Sequence, residues 1–339
     1  MNDILLLDHG SGGKASHRLI NEVFVSRFSN PVLAGLNDAA RLEISGPLAM
    51  STDSYTVDPI FFPGGDIGSL AVHGTVNDVA MLGAEPLFIS CGFIIEEGFA
   101  LNQLIRIADS MALAARSAGV SIVTGDTKVV PKGAVDKVFI NTTGLGRIIA
   151  EPMPHGGGAK AGDAVLISGP VGDHGLAVMS SRAGIMLAAD VKSDSAAIHE
   201  MVLNLIRAEV EVHVLRDPTR GGLATTLNEI AGQSQVVIEV EQAGIPVRSG
   251  VARAASVLGL DPLYLACEGR VIVIVPEQAV GRALEIMRSS PHGGQACRIG
   301  SVLAPDPDTG RPGQVLLQTP IGGKRLLSML EGEQLPRIC

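Results

Sequence analysis

The sequence predicts a chain of α+β or α/β class, built as two layered domains. Two observations carry this. Short apolar strands alternate with helices along the whole length, and that alternation breaks once, in a Gly/Pro-rich stretch without periodicity at residues 152–162. A length of 339 residues also exceeds what one core usually serves. In chain order, Ala15, Leu19, Ile20, Val23, Phe24 and Phe28 recur at helical spacing behind a Gly-rich turn. Residues 48–51 read as a strand ending at Thr52 and Asp53, and 69–82 as a helix closed by Gly83. A longer helix carries Leu101, Leu104, Ile105, Ala108, Met111, Ala112 and Ala115 on one face. Residues 120–124 and 137–143 read as strands separated by a polar turn. Beyond the break come strands at 164–168, 236–240, 271–275 and 300–303, with helices at 223–231, 249–258 and 279–288. The reading divides the chain into an N-terminal domain (1–155), a C-terminal domain (156–330) and a flexible tail (331–339).

Composition narrows the function. A net charge of −9, no Lys/Arg runs and 3% aromatic residues argue against a nucleic-acid surface. Cys91, Cys267, Cys297 and Cys339 are widely spaced with no CxxC pair, which suits neither a zinc site nor a disulfide scaffold. Cys91 lies in the apolar run 87–95 and reads as a buried, inert thiol. The N-terminus lacks a basic region and a long enough apolar stretch for a signal peptide, and no segment offers 18 apolar residues in a row. A cytoplasmic protein without membrane attachment is expected.

Chemistry concentrates in glycine loops and acids. Gly10, Ser11, Gly12 and Gly13 run into a predicted helix with Lys14 at the junction. Free backbone N–H groups beside a cation suit a phosphate, and a plain flexible turn competes with that reading. The loop is not a Walker A motif, because Asp8 stands where glycine is needed and Ala15 replaces Ser/Thr. It matches G-x-G-x-x-A, yet no strand ending in an acid follows about 20 residues on, as a dinucleotide fold requires. Asp53, Asp78 and Asp126 fall at predicted element ends, where caps and turns also use acids. Three such acids with a Gly-Lys loop favour magnesium–nucleotide binding. Glycine turns recur at 169–175 and at Asp217-Pro218-Thr219-Arg220-Gly221-Gly222, where Arg220 could clamp an anion. His174 in the first of these reads as a turn residue. The last residue, Cys339, ends a segment with no core pattern and reads as a thiol on a mobile arm.

The segments HGSGGK, STDSY, NDVA, SCGFIIEEG, TGDTKVV, SGPVGDHG, DPTRGG and ACEGR occur in this order before a terminal PRIC. Together they closely resemble the HypE family of nickel–iron hydrogenase maturation proteins, over essentially the whole chain. The acid and glycine motifs alone resemble the wider superfamily of aminoimidazole ribonucleotide synthetase, selenophosphate synthase and thiamine-monophosphate kinase. The resemblance implies an aminoimidazole ribonucleotide synthetase-like fold. Its N-terminal sheet would pair into a barrel across a homodimer, and its C-terminal domain would be an α/β sandwich. It implies ATP with Mg²⁺ held by Asp53, Asp78, Asp126 and Asp217. The loop of residues 10–14 would close over the nucleotide, with Asp78, Thr127, Arg220 and Gly221 also in contact.

The implied reaction is ATP-dependent dehydration of an S-carboxamide on Cys339 to an S-cyanide. A carbamoyltransferase would load the thiol, and a maturation complex would take the cyanide onto iron. Glu268, with Lys128, is the expected base, against a competing reading in which Glu268 only pairs with Arg270. Three other functions stay open: a small-molecule phosphorylating enzyme of the same superfamily, a metallochaperone presenting iron on Cys339, and, weakest, a dinucleotide oxidoreductase.

Overall fold

A computed structural model describes residues 4–182, 191–307, 310–330, 332 and 337–339. The chain opens with the glycine loop and a helical run. α1 (Lys14–Leu19) continues through a π-helical turn (Ile20–Val25) into α2 (Ser26–Phe28). The first sheet contains β1 (Leu48–Tyr55). A short hairpin of β2 (Phe61–Phe62) and β3 (Gly65–Asp66) follows, then α3 (Ile67–Ala80). β4 (Ala84–Glu96), α4 (Leu101–Ser117), β5 (Ser121–Val130) and β6 (Val138–Ile148) complete this half. The sheet order is β1-β6-β4-β5, antiparallel except for the β4/β5 pair.

α3 starts two residues before its expected position because Asp66 caps it. The carboxylate accepts from Gly68 N at 2.8 Å and Ser69 N at 3.0 Å, and Ser69 Oγ closes the capping box. Three expectations are corrected here. β4 was not anticipated, although the apolar run around Cys91 is its middle. β1 does not end at Thr52, and the polar stretch after residue 124 is not a turn, since β5 runs on to Val130. In β1 and β5 ladder pairing overrides side-chain polarity, because one face of the sheet is covered and the other open. Ala49 and Tyr55 point inward, where Tyr55 meets Gly74 of α3. On the other face Leu48, Met50 and Ile94 are 46%, 72% and 42% exposed.

Residues 149–162 carry no helix or strand and lead to the second sheet. It comprises β7 (Asp163–Ile167), β8 (Val214–Arg216), β9 (Val237–Glu241), β10 (Ile272–Pro276), β11 (Cys297–Leu303), β12 (Val315–Gln318) and β13 (Lys324–Leu326). Its order is β13-β12-β9-β11-β7-β10-β8. The helices are α5 (Asp173–Arg182), α6 (His199–Arg207), α7 (Gly222–Ser234), α8 (Ser249–Leu258) and α9 (Val280–Ser289). β7 and β10 alternate between two cores: Leu166 and Val273 pack with α6 and α9, while Val165, Ile167 and Ile274 pack with α7. Burial on both faces explains their unbroken apolar sequence.

One side chain of α3 makes three of the hydrogen bonds that join the domains. Asn77 Nδ2 donates to Ala196 O at 2.9 Å and Glu268 O at 3.4 Å, and Asn77 Oδ1 accepts from Ile198 N at 2.8 Å. Asn77 is 1% exposed, so no water replaces a lost partner. Replacing Asn77 with Ala should lower stability by about 1–3 kcal/mol. A fall in the thermal unfolding midpoint measures it, and an unchanged midpoint would refute the fastening role.

Candidate functional site

The C-terminal residues lie in a cleft of about 420 Å³ lined by Ser54, Thr56, Arg220, Gly221, Thr225 and Cys339. The expected flexibility of 331–339 falls largely on residues outside those described. The described end, Arg337 to Cys339, is held along the segment that follows β1. Thr56 N donates to Cys339 O at 3.0 Å, and Asp58 N donates to Arg337 O at 3.2 Å, an antiparallel pairing. Arg337 returns a bond from Nε to Thr56 O at 2.8 Å and pairs with Asp136 at 2.6 Å. Arg182 Nη2 and His174 Nε2 reach the carbonyls of Arg337 and Ile338 at 2.8 and 2.7 Å. Ile338 is buried in the N-terminal core. An isoleucine next to the chain end was the one signal in the sequence for this docking.

Around the thiol stand carboxyl groups from both domains. Asp53 comes from β1, Asp78 from α3, Asp217 from the loop after β8, and Glu268 from the segment before β10. Ser51 Oγ donates to Asp78 Oδ2 at 2.7 Å, and Ser54 N to Asp53 Oδ1 at 2.8 Å. Their fields overlap. Burial and then Asp78 push Asp217 up to about 7. Burial raises Asp78, with Asp53 adding to it and Ser51 and Arg220 opposing. Glu268 is raised well above the usual carboxylate range, by burial first and then by Asp217, Asp194, Asp53 and Asp78. Its Oε1 is buried with no hydrogen-bond partner. The competing role for Glu268, an ion pair with Arg270, is not what the structure shows: Arg270 turns to Asp194 at 3.4 Å and Asp173 at 3.7 Å. Burial, then Glu268, also raises the Cys339 thiol, which is therefore protonated at neutral pH.

The structure leaves the other predicted residues on the opposite edge of the first sheet. Register aligns Ser54, Asn141, Gly92 and Asp126 in one row, so Asp126 lies three strand spacings from Ser54, about 14 Å. Lys128 pairs with Asp126 at 3.0 Å. Thr127 sits between them and helps line a second, mainly apolar pocket of about 260 Å³ with His17, Phe24 and Phe93. The glycine loop packs beside this edge. A Cβ on Gly10 would collide with Val129 N, and Ser16 Oγ accepts from Gly12 N at 2.9 Å, leaving Lys14 exposed. The sequence missed Thr56, Arg182 and His174, whose roles depend on where the chain end comes to lie.

Among the described residues no three carboxylate, His or Cys side chains are arranged to hold a metal ion alone. The site still fits Mg²⁺ that brings phosphate oxygens, since such an ion needs only one or two carboxylates. The orphaned Glu268 Oε1 and the mutually raised acids mark an uncompensated anionic site. Asp217 provides a test. Its pKa is raised on folding, so ionisation costs stability from pH 3.8 upward, in full above about pH 7. Asp217→Asn should raise the unfolding midpoint of the metal-free chain at pH 8 and leave it nearly unchanged at pH 4. A variant no more stable than the parent at pH 8 would contradict the crowding of acids.

Comparison with known proteins agrees with this architecture. Residues 36–148 match the AIR synthase related protein N-terminal domain, and 160–310 its C-terminal domain. Carbamoyl dehydratase HypE of Azotobacter vinelandii is 51% identical over 98% of this chain and 96% of its own. A crystal structure of hydrogenase maturation protein HypE in complex with ATP superposes with a TM-score of 0.96 at 63% identity, covering 99% of this chain and all of that one. A HypE–HypF complex gives a TM-score of 0.80 at 46% identity, over 92% of this chain and 99% of that one. With near-complete coverage in sequence and in fold, the chain belongs to the HypE family, within the AIR synthase related proteins.

Proposed function

We propose that this chain uses ATP to dehydrate an S-carboxamide on its own Cys339 to an S-cyanide, which supplies cyanide for hydrogenase iron. The observation that carries this is the seating of the terminal thiol in the cleft beside Arg220 and Gly221, within the field of Glu268, Asp53 and Asp78. The ATP-bound structure of a HypE and the dehydratase activity named for the Azotobacter relative support it.

The chemistry explains each part. Direct loss of water from an amide expels a poor leaving group. Attack of the amide oxygen on the γ-phosphorus releases ADP and leaves an O-phosphorylated carbon. Two N–H protons are removed in all, and the C–O bond then breaks with its electron pair leaving on phosphate, giving C≡N. Glu268 is the proposed acceptor of an N–H proton: burial and the neighbouring acids raise its proton affinity, and a cation bound among those acids would lower it enough to leave a carboxylate free to act. Mg²⁺, held by Asp53, Asp78 and Asp217 with the phosphates, would neutralise charge on the transferred group. Arg220 and Gly221 at the cleft wall are assigned to the phosphates.

Lys14, the loop of residues 10–13, Asp126, Thr127 and Lys128 are assigned to the nucleotide from the other sheet edge. We read a homodimer as the means of joining the two groups, since the open face with Leu48, Met50 and Ile94 is apolar enough to pair and close a barrel. The domain division stays at residues 155 and 156. HypF bound to a related HypE supports a carbamoyltransferase that loads Cys339, and a maturation complex would receive the cyanide.

Intact-mass measurement with carbamoyl phosphate, the carbamoyltransferase and Mg-ATP should show one carboxamide gained on the C-terminal peptide. An ATP-dependent loss of one water should follow. Glu268→Gln should still accept the carboxamide but lose water roughly 10²–10⁴-fold more slowly. Product formation that survives Cys339→Ala would overturn the reading in favour of small-molecule phosphorylation. Met50→Asp should sediment as a monomer and lose the ATP-dependent step; a fully active monomer would refute the dimeric site.

A further inference from the structure

The structure assigns His174 a positioning role: its Nε2–H fixes the main chain of the terminal segment so that Cys339 is presented to Glu268. The residue is fully buried at the start of α5. Nε2 lies 2.7 Å from Ile338 O, and Nδ1 lies 2.8 Å from Ser193 Oγ. A carbonyl only accepts, so Nε2 carries the hydrogen and Nδ1 accepts from the serine hydroxyl. Ser193 is itself held, its N donating to Pro63 O at 2.8 Å and its Oγ accepting from Ser195 N at 3.0 Å. Phe62 packs edge-on to the imidazole with centroids 5.4 Å apart. The ring is therefore fixed at both nitrogens and on one side, with its single hydrogen aimed at the residue before the reactive thiol. Burial lowers its proton affinity, which keeps Nδ1 an acceptor at neutral pH.

The geometry has a chemical purpose. Thr56 and Asp58 hold Cys339 and Arg337 through main-chain bonds along one side of the segment. Ile338 O faces the other way, into protein, and takes its donor from His174. Without that donor a buried carbonyl is stranded, and the terminal residue is free to rotate away from Glu268.

The consequence for turnover rests on the S-carboxamide reading above; the docking of the thiol does not. The test uses the full chain as wild type, His174→Leu, His174→Gln and Ser193→Ala, each checked for folding by its thermal unfolding midpoint. One readout is the rate at which iodoacetamide labels Cys339, followed on the C-terminal peptide. The other is single-turnover loss of water from the carboxamide-loaded chain after Mg-ATP.

His174→Leu should label at least about fivefold faster and lose water slower by a similar factor. His174→Gln, which keeps a donor near the same place, should stay within about twofold of wild type on both. Ser193→Ala should move in the direction of Leu by less, and it decides the matter if His174→Leu does not fold. Wild-type labelling in folded His174→Leu, or equal losses in Leu and Gln, would overturn the role by reducing His174 to packing. If labelling responds as expected while the wild type loses no water, the dehydratase reading fails and the positioning role stands.

Discussion

Asp78, Asp217 and Glu268, drawn from two domains, share one poorly solvated space beside Asp53, and burial there opposes their charged forms. Coulomb repulsion there is weakly screened, and together with burial it raises the proton affinity of Asp78, Asp217 and Glu268. The cost is tolerated because the same crowding creates what a phosphoryl-transfer site requires: oxygen donors that favour a hard cation, and one carboxyl basic enough to take a proton. Arg220, at the cleft wall, offsets only part of the charge.

The fold exists to hold this arrangement. α3 carries Asn77 and Asp78 in succession, so a residue that bonds the second domain is covalently next to one of the clustered acids. The second domain delivers Asp217 and Glu268 from the segments flanking β8 and β10, strands buried on both faces and correspondingly rigid. The chain end then closes the site, paired to the continuation of β1 much as an added strand pairs to a sheet edge.

Much of this was legible in the residues, and the exceptions follow a rule. Helices α3 and α4 could be read from their apolar spacing, although the cap of Asp66 sets α3 two residues earlier than that spacing suggested. β4 was missed because its open face also carries apolar residues such as Leu87 and Ile94, so its alternating burial leaves no alternation in the sequence. Asp53 and Asp126 were singled out as candidate acids but placed after strands, since polarity was read as the end of pairing when it marks an open face. The convergence of Asp53, Asp78 and Asp217 was beyond any local pattern, as it depends on how two domains meet. His174 shows the limit most sharply. Nothing in GPVGDHG distinguishes a turn histidine from one whose partner lies 164 positions away.

The seating of Arg337 to Cys339 within the same molecule means that catalyst and substrate carrier never have to find one another. Their encounter is set by a tether, so the local concentration of the reacting group does not fall on dilution. A group carried in this way has no saturation curve of its own. The pace of a cycle is governed by ATP, by delivery of the group and by its removal, and abundance of the protein changes how many cycles run in parallel while leaving each one as fast as before.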